Sequence, residues 1–302
     1  MSIRAAAIQI CPVDGSPEST LQKAEEYLDR SAKEGVEIAV LPEGYLPGYA
    51  GIREAKESGD PQDLIEVLDQ LESVPGPSTD RIADLAKTHE VVVAFGMLAR
   101  AEPGEQPTNV SVLIDSDGEI KNIHRKVHLT PTIEAPDFTS GNSFAVTETS
   151  VGPIGNMICA DFSLPETTRI LAIKGAQVVC GSFAGFYGVP PAPRGSVMQL
   201  FANSHMSVAR AIDNSINLVM CNMVGFSGDL EFFGMSRIID AEGNIVAQAG
   251  EGVGHEELLI GDLPDSKELR DIPFRLIDRR RPDLYSEILE SNPDYTDVEW
   301  SG

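Results

Sequence analysis

The chain has 302 residues, 42% hydrophobic and 23% charged, with 47 acidic side chains against 23 basic ones and a net charge of −24. So acidic a surface repels nucleic acid and anionic membranes, which excludes both as expected partners. No stretch approaches about 18 uninterrupted apolar residues, and the short apolar run after Arg4 reads as a first strand and not as a secretion signal, so a cytoplasmic enzyme is expected.

Strand-like apolar runs alternate with helix-like segments along the chain. RAAAIQIC (4–11) is a strand, followed by a helix in which Leu21, Ala24, Leu28 and Ala32 recur at helical spacing and Gly35 supplies a stop. VEIAVLPE (36–43) is a buried strand that runs into a loop. DLIEVLDQLES and STDRIADLAKTHE are amphipathic helices, the second opening on a Ser-Thr-Asp cap. VVVAFGMLAR (91–100), TNVSVLIDSDG (108–118) and EIKNIHRKVHL (119–129) are three strands, the last two joined through a hairpin turn at SDG.

The second half continues in the same style. SFAVTETSVGPIGNMIC supplies strands up to Cys159, PETTRILAIKGA a helix with Pro in its first turn, QVVCGSF a strand, and MQLFANSHMSVARAIDNS a long helix. INLVMCNMVG, GMSRIIDAEGNIVAQAG and EELLIGDLP close the series as strands, and GVPPAPRGS (188–196) is the most evident loop. Mixed hairpins and βα units point to one α/β domain over 1–302 with two sheets, a core of about 4–285 and a tail of about 286–302. Of the four cysteines none forms a C-x-x-C pair, and there is no H-E-x-x-H; neither metal nor disulfide is expected, and three of the thiols read as core filler.

Four positions carry chemistry. Glu43 ends a buried strand, Lys126 sits in NIHRKVHL, Glu134 follows in TPTIEAP, and Cys159 ends GNMIC. Taken singly, each has an ordinary use: a solvated loop carboxylate, a surface lysine, an inert buried thiol. Charged groups that follow apolar strands are, however, where catalytic groups collect in α/β proteins.

Taken in order, the motifs resemble those of the nitrilase superfamily, the thiol-dependent carbon–nitrogen hydrolases. LPEGYLPGY resembles the segment around the family's catalytic glutamate, HRKVHL that around its lysine, and GNMICADFSLPE that around its nucleophile. ARAIDNSINLVMCNMVG resembles a later segment, with Asp213 in place of the usual Glu. The resemblance implies a four-layer α-β-β-α sandwich that pairs into an eight-layer homodimer or larger homo-oligomer, with no cofactor. It also implies Cys159 as nucleophile, Glu43 as its proton acceptor and later donor, and Lys126 as the cation facing the oxyanion. Glu134 would hold Lys126 or assist proton transfer. A neutral thiol needs such help, being only a few per cent ionised near neutral pH.

The resemblance implies a small-molecule amide or nitrile as substrate. The sequence Cys-Ala-Asp at the nucleophile is that of amidase-type members, while LPGY and HLTPTIE keep a nitrilase character. No arginine follows the nucleophile where N-carbamoyl-amino-acid hydrolases hold a carboxylate, and Arg194, in the Pro-rich loop, is a poor clamp. An uncharged acyl group is therefore expected, with Tyr49, Ala160, Phe162 and Phe183 contacting it and Phe186 as a further wall. N-carbamoyl hydrolysis, a binding protein that has kept only the fold, and a thiol redox protein are the alternatives. The last lacks a resolving cysteine within 20 residues of Cys159.

Overall fold

A computed structural model describes residues 2–100, 106–130, 134–135, 137–187, 205–265, 269 and 275–290. Two six-stranded sheets carry the fold. In the first, β1 (Ser2–Gln9), β2 (Ile38–Val40) and β3 (Val92–Ala99) run parallel, with β14 (Glu257–Pro264) antiparallel on one side and β4 (Thr108–Ile114) and β5 (Ile120–Arg125) on the other. The second has the same plan. Parallel β7 (Gly152–Ile158), β8 (Val178–Phe183) and β9 (Asn217–Asn222) lie between antiparallel β6 (Val146–Thr149) and the pair β12 (Arg237–Ile239) and β13 (Ile245–Gln248). A separate hairpin, β10 (Val224–Ser227) and β11 (Leu230–Phe233), was not expected, because FSGDLEFF lacks a clean alternation.

The sheets stack on one another because their central strands are apolar on both faces. Alternate residues separate into layers: Ala5, Ala7, Val40, Ala94, Val178, Cys180, Val219 and Cys221 fill the space between the sheets. Ala6, Ile8, Val93 and Phe95 face the outer helices of the first sheet, and Val179, Phe183, Leu218 and Met220 those of the second. The middle layer mixes branched aliphatics with alanines, and Cys180 and Cys221 sit there as small apolar fillers.

The first outer layer includes α1 (Pro17–Lys33) and α4 (Pro77–His89). The cap expected at Ser78 for α4 lies two residues earlier: Gly76 precedes the helix and Pro77, with its φ already helical, occupies the first turn. Thr79 Oγ1 accepts from Gly76 N at 2.8 Å and closes that turn. Two short helices, α2 (Ala50–Ser58) and α3 (Pro61–Asp69), follow the Glu43 loop; α2 was not read in advance. The second outer layer holds α6 (Pro165–Ile173) and α7 (Ser207–Asn214), with the single turn α5 (Ala160–Ser163) leading into α6. Of the long helix expected over 198–215, residues 198–204 lie outside the described residues, as do 291–302 of the tail. Among the described residues no helix is long and apolar enough to cross a membrane.

Candidate active site

The strand ends bring the four chemistry-bearing residues into one region. Glu43 follows β2 through Leu41 and Pro42, and the chain passes so close to β3 that only Gly96 fits there: a Cβ on it would lie 2.1 Å from the Pro42 carbonyl oxygen. The Glu43 loop is stapled to the other sheet as well, since Ser182 Oγ donates to Leu41 O at 2.8 Å and Glu43 N to Phe183 O at 3.2 Å. Lys126 was read as lying within a strand but stands one residue beyond β5, where its N–H donates to Asn109 O at 2.9 Å.

Glu43, Lys126 and Glu134 are each at most 2% exposed. Lys126 Nζ donates to Glu43 Oε1 at 2.6 Å and to Glu134 Oε2 at 2.7 Å. Glu134 Oε2 also takes the Thr130 N–H at 2.7 Å, which folds the loop back onto the lysine. Burial disfavours the ammonium, but the charges of Glu43 and Glu134 outweigh it and hold the Lys126 pKa above its ordinary value. Two carboxylates and one ammonium leave this cluster one unit negative.

Asn109 and Tyr49 complete it. Asn109 Nδ2 lies 2.8 Å from Glu43 Oε1, 2.6 Å from Glu134 Oε1 and 2.9 Å from the Tyr49 hydroxyl. The Tyr49 hydroxyl reaches Glu43 Oε1 at 3.1 Å and Glu134 Oε1 at 3.3 Å. Tyr49, expected as a pocket wall, therefore puts its polar end among the carboxylates. Asn109 went unread, although an amide inside the apolar run TNVSVLI was the signal.

Cys159 closes β7 in a rare backbone conformation, φ +39° and ψ −99°. Such a conformation costs on the order of 1–3 kcal/mol in a residue with a side chain and persists only where its surroundings fix it. Here its N–H donates to Ser182 O at 2.9 Å and its carbonyl accepts from Phe162 N at 2.9 Å. The thiol is not preset as a thiolate. Burial raises its pKa, Glu43 raises it further, and Lys126 and the Ala184 N–H only partly oppose them. That same Ala184 N–H donates to Glu43 Oε2 at 2.8 Å, so the sulfur and the free side of the Glu43 carboxylate share a neighbour. Gly185, the next residue, is clamped by Asn222, whose Oδ1 accepts from Gly185 N at 2.7 Å.

A third buried carboxylate lies two residues past the thiol. Asp161 is fully buried and accepts from Ile158 N at 3.2 Å, Val127 N at 3.2 Å and His128 N at 2.9 Å. Its oxygens also meet His124 Nε2 at 2.8 Å and His128 Nδ1 at 2.9 Å. Burial alone would raise its pKa, but these donors, His124 foremost, hold it below its ordinary value. An ionised carboxylate can only accept, so both facing ring nitrogens carry protons. Phe144 stacks on both imidazoles, with centroids at 5.8 Å and 6.1 Å.

The expected pocket residues are placed less uniformly. Ala160, half-buried, opens α5 directly after Cys159. Phe162 and Phe183 meet edge to face at 5.7 Å within the helix-side core, so packing already accounts for both rings. Phe186, half-buried, stands edge-on to Phe232 at 6.4 Å. Residues 188–196 of the long loop, Arg194 among them, lie outside the described residues.

Two sheets stacked between outer helices, with this cluster at their strand ends, form the α-β-β-α sandwich of the nitrilase superfamily. A carbon–nitrogen hydrolase from Helicobacter pylori superposes with a TM-score of 0.82 at 25% identity, over 96% of this chain and 99% of that one. The carbon–nitrogen hydrolase family model matches residues 4–271. A probable nitrilase of Schizosaccharomyces pombe is 30% identical over 96% of this chain and 99% of its own length. A 2-oxoglutaramate amidase of Bacillus subtilis is 31% identical over 90% and 95%. The chain belongs to the carbon–nitrogen hydrolase family, enzymes that act on carbon–nitrogen bonds other than peptide bonds.

Proposed function

We propose that the chain hydrolyses an uncharged carboxamide to a carboxylic acid and ammonia through a thioester on Cys159. The observation that carries this reading is the Ala184 N–H shared by the Cys159 thiol and Glu43 Oε2, with Lys126 Nζ 2.6 Å from the other oxygen of that carboxylate. In the first step the sulfur attacks the amide carbon while its proton passes to Glu43. The carbonyl electron pair moves onto oxygen, where Lys126 and the backbone N–H of Ala160 face the new charge. One such donor is worth about 3 kcal/mol of transition-state stabilisation. On collapse Glu43 returns the proton to nitrogen, ammonia leaves, and the acyl group remains on sulfur. Water then attacks the thioester, again giving its proton to Glu43, and release of the acid restores the thiol.

Glu134 keeps Lys126 charged and in place in this scheme. With one ammonium between two carboxylates, a preformed thiolate would bring the region to two negative charges, so proton transfer accompanies attack and does not precede it. The same residues would serve a nitrile. The relative named 2-oxoglutaramate amidase supports an amide substrate and the one named probable nitrilase a nitrile, and the first brings a carboxylate-bearing amide into the test beside the neutral one. Pairing of two chains through α6 and α7 belongs to the same proposal and is supported by exposed Leu164, Ile173 and Ile212 on that layer.

The test is ammonia release from a panel of propionamide, benzamide, 2-oxoglutaramate, an N-carbamoyl amino acid and a nitrile. Uncharged amides are expected to exceed the N-carbamoyl amino acid in kcat/KM by about tenfold or more, or about 1.4 kcal/mol. A clear preference for the N-carbamoyl acid would contradict the neutral-acyl reading, and undiminished turnover by Cys159→Ala would contradict the mechanism itself.

A further inference from the structure

We infer that Asp161 is a positioning residue that ties the nucleophile's strand end to the lysine's strand end, with His128 closing the tie from its solvent side. The inference rests on the roles proposed above for Cys159 and Lys126. Its basis is where the donors come from. Ile158 N belongs to the residue before the nucleophile, while Val127 N and His128 N belong to the two residues after Lys126. One side chain thus takes N–H groups from both catalytic strand ends, which lie in different sheets.

The tie is local by construction. Asp161 stands in the single turn α5, only two residues past Cys159, so its carboxylate folds back beneath the strained position it supports. Burial raises the cost of loosening it: with the carboxylate gone, the buried Ile158 N–H and the part-buried Val127 and His128 N–H groups would lose their acceptor. The two ends differ in what else holds them. Glu43 has its own staples to β8 through Ser182 and Phe183, and Cys159 N is fixed on Ser182 O. Lys126 stands beyond the end of β5 at the sheet edge; its own N–H and carbonyl pair with Asn109 O and Gly141 N, and Asp161 holds the next two residues. Loosening the tie should therefore move Lys126 relative to the sulfur, and a misplacement of about 1 Å can cost about a hundredfold in rate.

His128 makes the idea testable without disturbing the core. Its side chain is 34% exposed, whereas that of His124 is 2% exposed, and its Nδ1 supports the same carboxylate oxygen that holds Val127 N and His128 N. An asparagine there can offer an N–H near the Nδ1 position; an alanine cannot.

Full-length Asp161→Asn, His128→Ala and His128→Asn would be compared with wild type by two readouts. The first is the pH midpoint for alkylation of Cys159 by iodoacetamide, followed by peptide mass, which needs no substrate. Lys126 lowers the thiol pKa, so its displacement should raise the midpoint by about half a unit or more in Asp161→Asn and His128→Ala. The second is turnover of propionamide, where kcat should fall about tenfold or more with KM changed less than about threefold. His128→Asn should restore both while His128→Ala keeps the wild-type Tm. A wild-type midpoint in His128→Ala, or His128→Asn as impaired as His128→Ala, would overturn the inference. If Asp161→Asn does not fold, the His128 pair decides alone. Should Cys159→Ala retain turnover, the proposed function fails and the alkylation midpoint still reports on the tie.

Discussion

Glu43 and Glu134 are buried around one ammonium, whereas Asp161 is buried among backbone and imidazole N–H groups. The first cluster is held by opposite charges, and those charges raise the Lys126 pKa and act on that of the Cys159 thiol. The second is held by directed hydrogen bonds from fixed backbone, and what it controls is where the chain runs. A protonated thiol needs both: a proton acceptor poised by charge, and a geometry that keeps acceptor, cation and sulfur together. The contrast also explains why charge removal and geometry change should leave different signatures.

Lys126→Met should break the comparison most severely. It leaves two buried carboxylates facing one another with no cation, at a stability cost of about 3–5 kcal/mol. Turnover should fall about a thousandfold or more, since the cation at the oxyanion goes with it. A Tm within a degree or two of wild type would show that the two carboxylates are not held by the lysine at all.

Glu43→Gln is expected to slow turnover by about 10²–10⁴-fold through loss of the proton acceptor. Its sharper signature is in the thiol. The Glu43 charge raises the Cys159 pKa and Lys126 lowers it, so removing the first while keeping the second must bring the pKa down. Alkylation of Cys159 should then reach its midpoint at lower pH in the variant, opposite in direction to the shift expected for His128→Ala. A midpoint that rises would mean the charge cluster is not what raises the thiol.

Asn109→Leu removes an amide shared by both glutamates and keeps the side-chain size. Loss of its hydrogen bonds is expected to cost about 1–3 kcal/mol of stability and about tenfold in kcat, measured by thermal melting and steady-state kinetics. Cys180→Ala should do least. Its thiol has a pKa pushed up to about 12 by burial alone and fills space between the sheets, so kcat should stay within about twofold of wild type.

Most of the fold was legible because the central strands of both sheets are apolar runs of strand length bounded by helix starts and glycines. What escaped had weak local signals. The β10–β11 hairpin has no alternation, α2 lies in a segment rich in small and charged residues, and the α4 cap shifted because Pro77 fits a first helical turn better than the Ser-Thr-Asp read as its start. In the site, Glu43 and Glu134 stood out as carboxylates in loops and Lys126 as a charge within a strand, and the structure sets both carboxylates within hydrogen-bonding distance of Lys126 Nζ. The supporting residues did not stand out. Asn109 and His124 act across 25 to 66 residues of sequence, and Asp161 joins nearby Ile158 to residues 33 to 37 positions away, so nothing local says which distant partner each meets. Tyr49 was noticed for its ring and turned out to matter for its hydroxyl, because burial forces a phenol to find polar partners.

The central claim is that Cys159 carries the acyl group. Rapid acid quench of the wild-type enzyme during turnover of propionamide, followed by intact and peptide mass analysis, tests it most directly. The account expects a transient gain of one propionyl group in place of the thiol hydrogen, confined to the peptide containing Cys159, and no such gain in Cys159→Ala, which should also be inactive. An acyl group found on another residue, or turnover in Cys159→Ala at the wild-type rate, would contradict it.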